Sequence, residues 1–312
     1  MISSTDRCLL CRNNAKIVLS DIFDTRFGIE GFYNVARCES CGLEQLLPKP
    51  ENDELVGLYK KHYNFIDNEN KRYKTLRQKF LSSIFFDIWS IIDGDITFQL
   101  IKGKGHLLDV GCNEGRGLEI YKKNGFYVEG LEINSEAASV ARAKGFKVHI
   151  ESLENIQTAK QYDVLVLTNV IEHSLSPINM IKNANNRLLP GGQLWISCPN
   201  SQSWYRNLFG KYWINWHPPF HISHFSEKSL TKLLVENGFA ICSIKNETPA
   251  VWVTQSLISS LYASQGKITK QLQNSTLVVV IMLIVRLICF PILWLGNMVK
   301  RGDCLVVTAM KR

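Results

Sequence analysis

Five short apolar runs alternate with helical patterns in the middle of the chain, and this alternation constrains the fold more than any other sequence feature. The runs cover residues 106–110, 126–131, 146–149, 163–168 and 193–198. Strands that are separated by helices run parallel, and a parallel sheet needs helices on both faces. The sequence therefore predicts an α/β fold with a doubly wound, mostly parallel sheet, in which ligands bind at the carboxyl ends of the strands.

A glycine-bearing turn follows the first of these strands, within "LLDVGCNEGRGLEIYKKNGFYVEGLEIN", residues 107–134. Gly111 and Gly115 let the backbone turn sharply and let a ligand approach the start of the next helix. Glu132 comes about twenty residues after the turn, where a carboxylate can accept hydrogen bonds from both hydroxyls of a ribose. The glycines do not follow the dinucleotide pattern G-x-G-x-x-G. We therefore predict a ribose-containing ligand other than NAD; a tight turn without any ligand is the alternative.

The same turn resembles the first motif of class I S-adenosylmethionine (SAM) methyltransferases, an acidic residue followed by G-x-G-x-G. Asp109, Gly111 and Gly115 match it, whereas Asn113 replaces the middle glycine. Asparagine adopts left-handed backbone angles more readily than most residues, so it suits the turn. The stretch "YDVLVLTNVIEHSLSPINMIKNANNRLLPGGQLWISCPN", residues 162–200, also looks like the second half of these enzymes.

This resemblance covers residues 105–245 and implies a Rossmann-like fold with SAM as the co-substrate. It also implies a role for each matching residue. Asp109 and Gly111 would border the methionine end of SAM, with Asn113 and Gly115 in the turn, Glu132 at the ribose, Ile133 and Leu153 on either side of the adenine, and Asn169 lining the cleft.

Two C-x-x-C pairs precede this region, Cys8 with Cys11 and Cys38 with Cys41. Four thiolates on two tight turns can complete a tetrahedral shell around Zn²⁺, and a site closed by four cysteines holds a fold together instead of catalysing. We therefore predict a structural zinc site in residues 1–50. A redox pair and unligated core thiols are the alternatives.

An aromatic loop with three histidines follows the fifth strand: "NLFGKYWINWHPPFHISHFSEKSL", residues 207–230. Its "HISHFS" resembles the H-L-S-Y-F-S part of a signature of sugar C-methyltransferases, which also carry an N-terminal cysteine-rich zinc module. By that alignment His221 falls on the histidine base, Phe220 replaces the preceding glutamate and His224 replaces a tyrosine.

The missing glutamate favours O-methylation, because forming a carbanion needs more assistance than removing a proton from a hydroxyl group. A neutral imidazole can accept that proton near pH 7. We therefore predict His221 as the base, with His173 or His224 as its substitute. Sugar C-methylation and a purely structural role for each histidine are the alternatives.

Residues 277–299, "LVVVIMLIVRLICFPILWLGNMV", contain one charged residue and are long enough to cross a membrane. However, residues 302–312 are predicted to form the last strand, paired with 239–246, and a single crossing would place that strand on the wrong side. We therefore predict a segment that enters one leaflet only. Packing inside the protein or against a second subunit is the alternative, and the sequence does not indicate the oligomeric state.

These features divide the chain into four parts. We predict a zinc module over 1–50, a helical connection or lid over 51–104, a methyltransferase domain over 105–250 and 302–312, and an apolar helical insertion over 251–301.

Composition and charge limit the location and the partners. With 46% hydrophobic and 21% charged residues the chain is folded rather than disordered, and its net charge of +8 favours an anionic partner. The N-terminus lacks a signal-peptide pattern, so we expect a cytoplasmic protein. Membrane contact through residues 277–299 would place it at the inner face of the cell membrane. The expected acceptor is a sugar, a glycan or a lipid-linked molecule. A zinc protein that binds nucleic acid on a Rossmann scaffold is the rival class, but no basic aromatic repeat supports nucleic acid as a partner.

Overall fold

The computed structural model describes residues 7–62, 98–156 and 160–312. Much of the predicted connection over 51–104 lies outside the described residues. The strands are β1 (Ala15–Ile22), β2 (Tyr33–Cys38), β3 (Glu44–Leu47), β4 (His106–Val110), β5 (Tyr127–Leu131), β6 (Lys147–His149), β7 (Tyr162–Thr168), β8 (Leu188–Pro199), β9 (Ser223–His224), β10 (Phe239–Glu247) and β11 (Cys304–Lys311).

The α-helices lie between these strands. They are α1 (Asn52–His62), α2 (Arg116–Lys123), α3 (Ser135–Ala143), α4 (Pro177–Arg187), α5 (Trp204–Phe209), α6 (Glu227–Glu236), α7 (Ala250–Tyr262), α8 (Lys270–Gln273) and α9 (Ser275–Met298).

The larger sheet has seven strands in the order β10-β11-β8-β7-β4-β5-β6. Strands β8, β7, β4, β5 and β6 run parallel, and β11 runs antiparallel to both of its neighbours. The prediction of a doubly wound, mostly parallel sheet is therefore confirmed. The predicted pairing of the last strand with 239–246 is also confirmed, since β11 pairs with β10.

The central strands are apolar on both faces because helices cover both faces of the sheet. In β4, Leu107 and Leu108 point to opposite faces and are both fully buried; in β7, Leu165 and Val166 are likewise fully buried. Asn134 caps the start of helix α3, and its side chain accepts hydrogen bonds from two backbone N–H groups of the first turn. This packing fixes the carboxyl ends of β4, β5 and β7 at one edge of the sheet.

The smaller sheet joins the N-terminal region to the histidine loop. Its order is β1-β2-β3-β9, and β9 belongs to the segment that follows His221. Glu44 pairs with His224 and Gln45 with Ser223, while the Leu46 N–H donates to the carbonyl of Ile222 at 2.9 Å. The cysteine-bearing region and the histidine loop are therefore hydrogen-bonded to each other.

The predicted apolar insertion forms three helices between β10 and β11, of which α9 has 24 residues and packs against α7. Within the described residues, α9 is the one helix that is long and apolar enough to cross a membrane. The chain leaves the large sheet at β10 and returns to it at β11, so both ends of the insertion lie at the same edge of that sheet.

Candidate active site

The glycine turn after β4 contains three residues with left-handed backbone angles. Gly111, Asn113 and Gly115 have φ values of +71°, +49° and +80°. The expectation that Asn113 adopts this conformation is confirmed. A Cβ atom at Gly111 would lie 2.9 Å from a methyl carbon of Val170, so the turn packs closely against the residues that follow β7.

The carboxylate of Glu132 is tied to this turn. Its Oε2 accepts the N–H of Asn113 at 2.9 Å, and its Oε1 accepts the N–H of Asn134 at 2.8 Å. A carboxylate oxygen has a second lone pair, so each oxygen can still accept a hydrogen bond from a ligand hydroxyl. The two N–H donors therefore orient a carboxylate at the end of β5, which is the position predicted to bind ribose.

Asp109 is a second carboxyl group at this edge of the sheet. It is buried, and burial together with the neighbouring Glu132 raises its pKa to about 7. A Cβ atom at Gly117 would lie only 2.6 Å from Oδ2 of Asp109, so a glycine is needed there for the carboxyl group to keep its position.

The raised pKa of Asp109 predicts that SAM affinity depends on pH. The resemblance implies that Asp109 borders the methionine end of SAM, where only a charged carboxylate would attract the amino group. A raised pKa keeps the carboxyl group protonated up to a higher pH. Affinity should therefore fall about five- to tenfold between pH 7 and pH 6. Calorimetric titrations across this range would measure it. Asp109→Asn should bind SAM more weakly and with little pH dependence, and a constant wild-type affinity would contradict the prediction.

The other residues predicted to contact SAM occupy different environments. Ile133 is exposed and Leu153 is buried. The backbone of Asn169 is left-handed, with φ of +54°, and its N–H donates to the carbonyl of Ser197 at 2.9 Å. Its side-chain oxygen is buried and has no hydrogen-bond partner among the described residues. This oxygen is available to a ligand, and the roles of all three residues stay predictions.

A cluster of three titratable side chains lies just beyond Asn169. The 3-10 turn Ile171–His173 follows β7 and brings His173 next to His221, with ring centroids 4.5 Å apart. A carboxylate oxygen of Glu172 and one ring nitrogen of each histidine all lie within 4.8 Å of one another. The structure thus brings together two of the three predicted histidines and adds Glu172. The V-I-E-H pattern contains Glu172, but sequence reasoning assigned it no role.

In both histidine rings Nδ1 lies close to a backbone carbonyl oxygen. Nδ1 of His221 lies 2.8 Å from the carbonyl oxygen of Asn215, and Nδ1 of His173 lies 3.1 Å from the carbonyl oxygen of Phe220. A carbonyl oxygen only accepts hydrogen bonds, so Nδ1 of His221 is assigned the proton, and Nδ1 of His173 is assigned it whenever it bonds to Phe220. Each neutral ring then has its lone pair on Nε2. The hydroxyl of Tyr59 in α1 lies 2.7 Å from the same Nδ1 of His173.

Burial sets the protonation of the cluster. It lowers the pKa of His173 to about 4 and the pKa of His221 well below its usual value, because a charged imidazole loses its hydration there. Burial also raises the pKa of Glu172 to about 8, for the same reason. Both imidazoles are therefore neutral at physiological pH.

His224 lies apart from this cluster. Its ring is buried, packs edge-on against Trp216 with centroids 4.9 Å apart, and lies 6.4 Å from the ring of His221. Both of its ring nitrogens lack hydrogen-bond partners among the described residues. Its role as a substitute base stays a prediction, and its position in β9 makes it part of the smaller sheet.

The four predicted metal-binding cysteines come together at one point. The Sγ atoms of Cys8 and Cys41 lie 3.4 Å apart, as do those of Cys11 and Cys38, and all four lie within 4.8 Å of one another. Tetrahedral Zn²⁺ with Zn–S bonds of about 2.3 Å would hold the sulfurs about 3.8 Å apart. The observed spacing fits such an ion.

The two C-x-x-C turns have the same local structure. The N–H of Arg12 donates to the carbonyl of Cys8 at 3.0 Å, and the N–H of Gly42 donates to the carbonyl of Cys38 at 2.9 Å. Arg12 and Gly42 both have left-handed backbones, with φ of +61° and +76°. Gly42, which follows the second C-x-x-C pair, therefore allows this turn without backbone strain.

Comparisons with known proteins identify the central region. Residues 91–244 match a protein-family model described as "Methyltransferase domain". The chain contains a class I methyltransferase domain. Counted from β4 as strand 1, the large sheet has the order 6-7-5-4-1-2-3 with strand 7 antiparallel. The predicted fold and the predicted enzyme class are therefore confirmed.

Curated relatives cover part of this domain. The chain is 33% identical over 107 residues to a ubiquinone biosynthesis O-methyltransferase of Coxiella burnetii, over 32% of this chain and 45% of that enzyme. It is 28% identical over 154 residues to the enzyme of the same name from Vibrio vulnificus, over 45% of this chain and 66% of that enzyme. The chain thus spans about half to two thirds of the length of these relatives.

A solved structure aligns over most of the chain. The S-adenosylmethionine-dependent methyltransferase of Mesorhizobium loti aligns with 74% of this chain and 99% of its own, with 14% sequence identity and a TM-score of 0.45. The family match over residues 91–244 identifies the domain.

Proposed function

We propose that the protein is a SAM-dependent O-methyltransferase whose acceptor is a hydroxyl group of a sugar, a glycan or a lipid-linked molecule. The observation that carries the proposal is the lone pair on Nε2 of buried His221, beside the carboxyl end of β7. In this class of domain the acceptor meets the methyl group at that edge of the sheet, next to the SAM site. The names of the curated relatives support O-methylation.

SAM supplies the reactive methyl group, and the residues of the chain hold and orient it. The oriented carboxylate of Glu132 would accept the ribose hydroxyls, and Asp109 with the side-chain oxygen of Asn169 would contact the amino-acid end. The acceptor oxygen would attack the methyl carbon as the sulfur–methyl bond breaks. Its proton would pass to Nε2 of His221, whose Nδ1–H is held by the carbonyl of Asn215.

Sugar C-methylation is the second candidate. Phe220 stands where the signature of the sugar C-methyltransferases has its glutamate. Its buried ring packs against Tyr59 and His217 and provides no carboxylate. The carboxyl group of Glu172 nevertheless lies beside His221 in space. A product analysis is needed to separate the two, because an O-methyl group and a C-methyl group differ in mass fragmentation and in NMR shift.

The first experiment is calorimetric titration of the purified protein with SAM and, separately, with NAD. Saturable binding of SAM alone is expected, and acceptors with hydroxyl groups would then be screened for transfer of a labelled methyl group. Binding of neither compound would refute the proposal. Binding of SAM followed by methylation of carbon only would support the second candidate.

We also propose that the insertion binds a membrane surface. Helix α9 presents a broad apolar face in which Leu287 and Ile288 are 77% and 72% exposed. Basic residues, among them Lys270 and Arg301, lie near its ends and suit lipid headgroups. An insertion whose two ends lie at one sheet edge fits an orientation in the plane of one leaflet. This location suits a lipid-linked acceptor.

Vesicle flotation tests this membrane proposal. The wild-type protein should float with vesicles of phosphatidylcholine and phosphatidylserine, and the double variant Leu287→Glu/Ile288→Glu should bind at least about tenfold more weakly, because two carboxylates would have to be buried in the lipid. Tyr127→Glu changes an exposed apolar residue of β5 and should bind as the wild type does. A wild-type protein that stays in the lipid-free fraction would refute the proposal.

We further propose that Cys8, Cys11, Cys38 and Cys41 bind a structural Zn²⁺. Support comes from the converging sulfurs and from the matching turns described above. The ion would fix the smaller sheet and, through the pairing of β3 with β9, the loop that carries His221.

Cys38→Ser should therefore lower both stability and activity. Loss of zinc should lower the melting temperature by about 5–10 °C, since one ligand of a folding metal is lost. Turnover should fall severalfold, because β9 directly follows His221 and its pairing with β3 would loosen. SAM affinity should stay within about twofold, because the residues predicted to bind SAM lie on other strands. Metal analysis, melting curves and calorimetry would measure these effects. The surface variant Cys242→Ser should change none of them.

A further inference from the structure

The carboxyl group of Glu172 is buried in an unusual way. The residue is 1% exposed, and neither carboxylate oxygen has a hydrogen-bond partner among the described residues. A buried carboxyl group without partners costs free energy, so it normally has a partner or a ligand. The nearest potential ligand atoms are the ring nitrogens of His173 and His221, all within 4.8 Å of one another.

The backbone holds both histidines in the orientation that a metal ligand needs. Metal-binding histidines usually donate their second ring N–H to a carbonyl or a carboxylate, which fixes the ring. Nδ1 of His221 is held in this way by the carbonyl of Asn215, and Nδ1 of His173 is engaged by the carbonyl of Phe220 and the hydroxyl of Tyr59. The nitrogen left on each ring for a metal is therefore Nε2.

The two segments that carry these residues are also hydrogen-bonded to each other. The N–H of Ile222 donates to the backbone carbonyl of Glu172 at 2.8 Å, and Nδ1 of His173 lies on the carbonyl of Phe220. Three potential ligands from two distant parts of the chain are thus held in one place. Bonds of about 2.1 Å would bring the ligand atoms to about 3.0–3.5 Å from one another, which small side-chain rotations achieve.

We propose that Glu172, His173 and His221 bind one divalent first-row transition-metal ion. Two imidazoles and one carboxylate suit Mn²⁺, Fe²⁺, Co²⁺ or Zn²⁺, and they leave coordination positions open for other ligands. The site is distinct from the four cysteines, whose thiolates form a closed shell.

The chemical role of the ion rests on the proposed function. An acceptor hydroxyl oxygen in an open position would have its pKa lowered by the ion. Its proton would then leave to water instead of to His221, the oxygen–methyl bond would form, and the sulfur–methyl bond would break. The ion and the free imidazole are therefore two ways to activate the same hydroxyl group, and metal binding can be measured without any acceptor.

Mn²⁺ titration followed by electron paramagnetic resonance tests the site. The protein is purified with its cysteine site filled by zinc and titrated without SAM, because Mn²⁺ prefers oxygen and nitrogen ligands to thiolates. We expect one bound Mn²⁺ per chain. Glu172→Gln and His221→Gln should each weaken binding at least about 100-fold, since even residues that only support a metal ligand contribute 10- to 100-fold. His149→Gln, a histidine of β6 outside the cluster, should bind Mn²⁺ as the wild type does.

Unchanged Mn²⁺ affinity in Glu172→Gln, or no stoichiometric binding by the wild type, would overturn the metal site. If a variant does not fold, the wild type still gives an answer. Bound Mn²⁺ should broaden the NMR signals of the His173 and His221 rings but not those of His149, and equal broadening would overturn the site.

The metal-site proposal and the proposed methyltransferase function would be refuted by different results. Methyl transfer by chelator-treated protein that binds no Mn²⁺ would overturn the metal site and leave the histidine base standing. Mn²⁺ bound at the cluster in a protein that binds no SAM would support the metal site and refute the proposed function.

Discussion

Glu132→Ala is expected to weaken SAM binding at least about 100-fold, because the variant would lose the two charge-assisted hydrogen bonds proposed to the ribose, each worth about 1.5–3 kcal/mol. The carboxylate also accepts the N–H groups of Asn113 and Asn134, so its loss would release the glycine turn. Both effects act in the same direction. Calorimetric titration of SAM into the variant measures their sum.

A matched variant separates the site from general charge effects. Glu136→Ala removes an exposed carboxylate from the first turn of α3, four residues further on, and should leave SAM affinity unchanged. Circular dichroism should show both variants folded. SAM binding by folded Glu132→Ala with wild-type affinity would contradict the assignment of Glu132 to the cofactor.

His221→Ala is expected to keep SAM binding and to lose turnover about 10²- to 10⁴-fold, the usual contribution of a general base. His221 lies beyond the carboxyl end of β7, whereas the glycine turn and Glu132 follow β4 and β5. The change should therefore lower the rate of methyl transfer, with SAM affinity within about twofold of the wild type. Single-turnover transfer of labelled methyl groups and calorimetry would measure the two quantities.

His149→Ala is the control for this variant, because it removes a histidine that contacts Glu129 away from the cluster. It should transfer methyl groups at the wild-type rate. Since His221 is buried, melting curves must show that His221→Ala is folded. A folded variant with wild-type turnover would exclude His221 both as the base and as an essential metal ligand.

Local sequence patterns predicted the central sheet closely. The predicted run over 106–110 is β4, and the run over 163–168 differs from β7 by one residue. Strand β8 begins five residues earlier than the predicted run over 193–198, since Leu188 pairs with Tyr162 before an irregularity in the register. The predicted run began only after the two glycines at 191 and 192, and the pairing partner in β7 shows where the strand begins.

The residues that follow β4 and β5 were also predictable from local sequence patterns. Left-handed angles at Gly111, Asn113 and Gly115 follow from which residues tolerate them, and a carboxylate at the end of the second strand follows from spacing along the chain. The cysteine pairs were predictable as two local turns. Their meeting in space was an inference from metal chemistry, and the structure shows the four sulfurs together.

The sequence by itself determined the alternation of strands and helices, the glycine turn, the carboxylate after β5 and the two cysteine turns. Each depends on periodicity or on spacing within a short segment. Only the tertiary structure decided that β9 pairs with β3 and that Glu172 lies against His221. Those contacts join residues far apart in the chain, and their geometry depends on how helices and loops pack over the sheet edge.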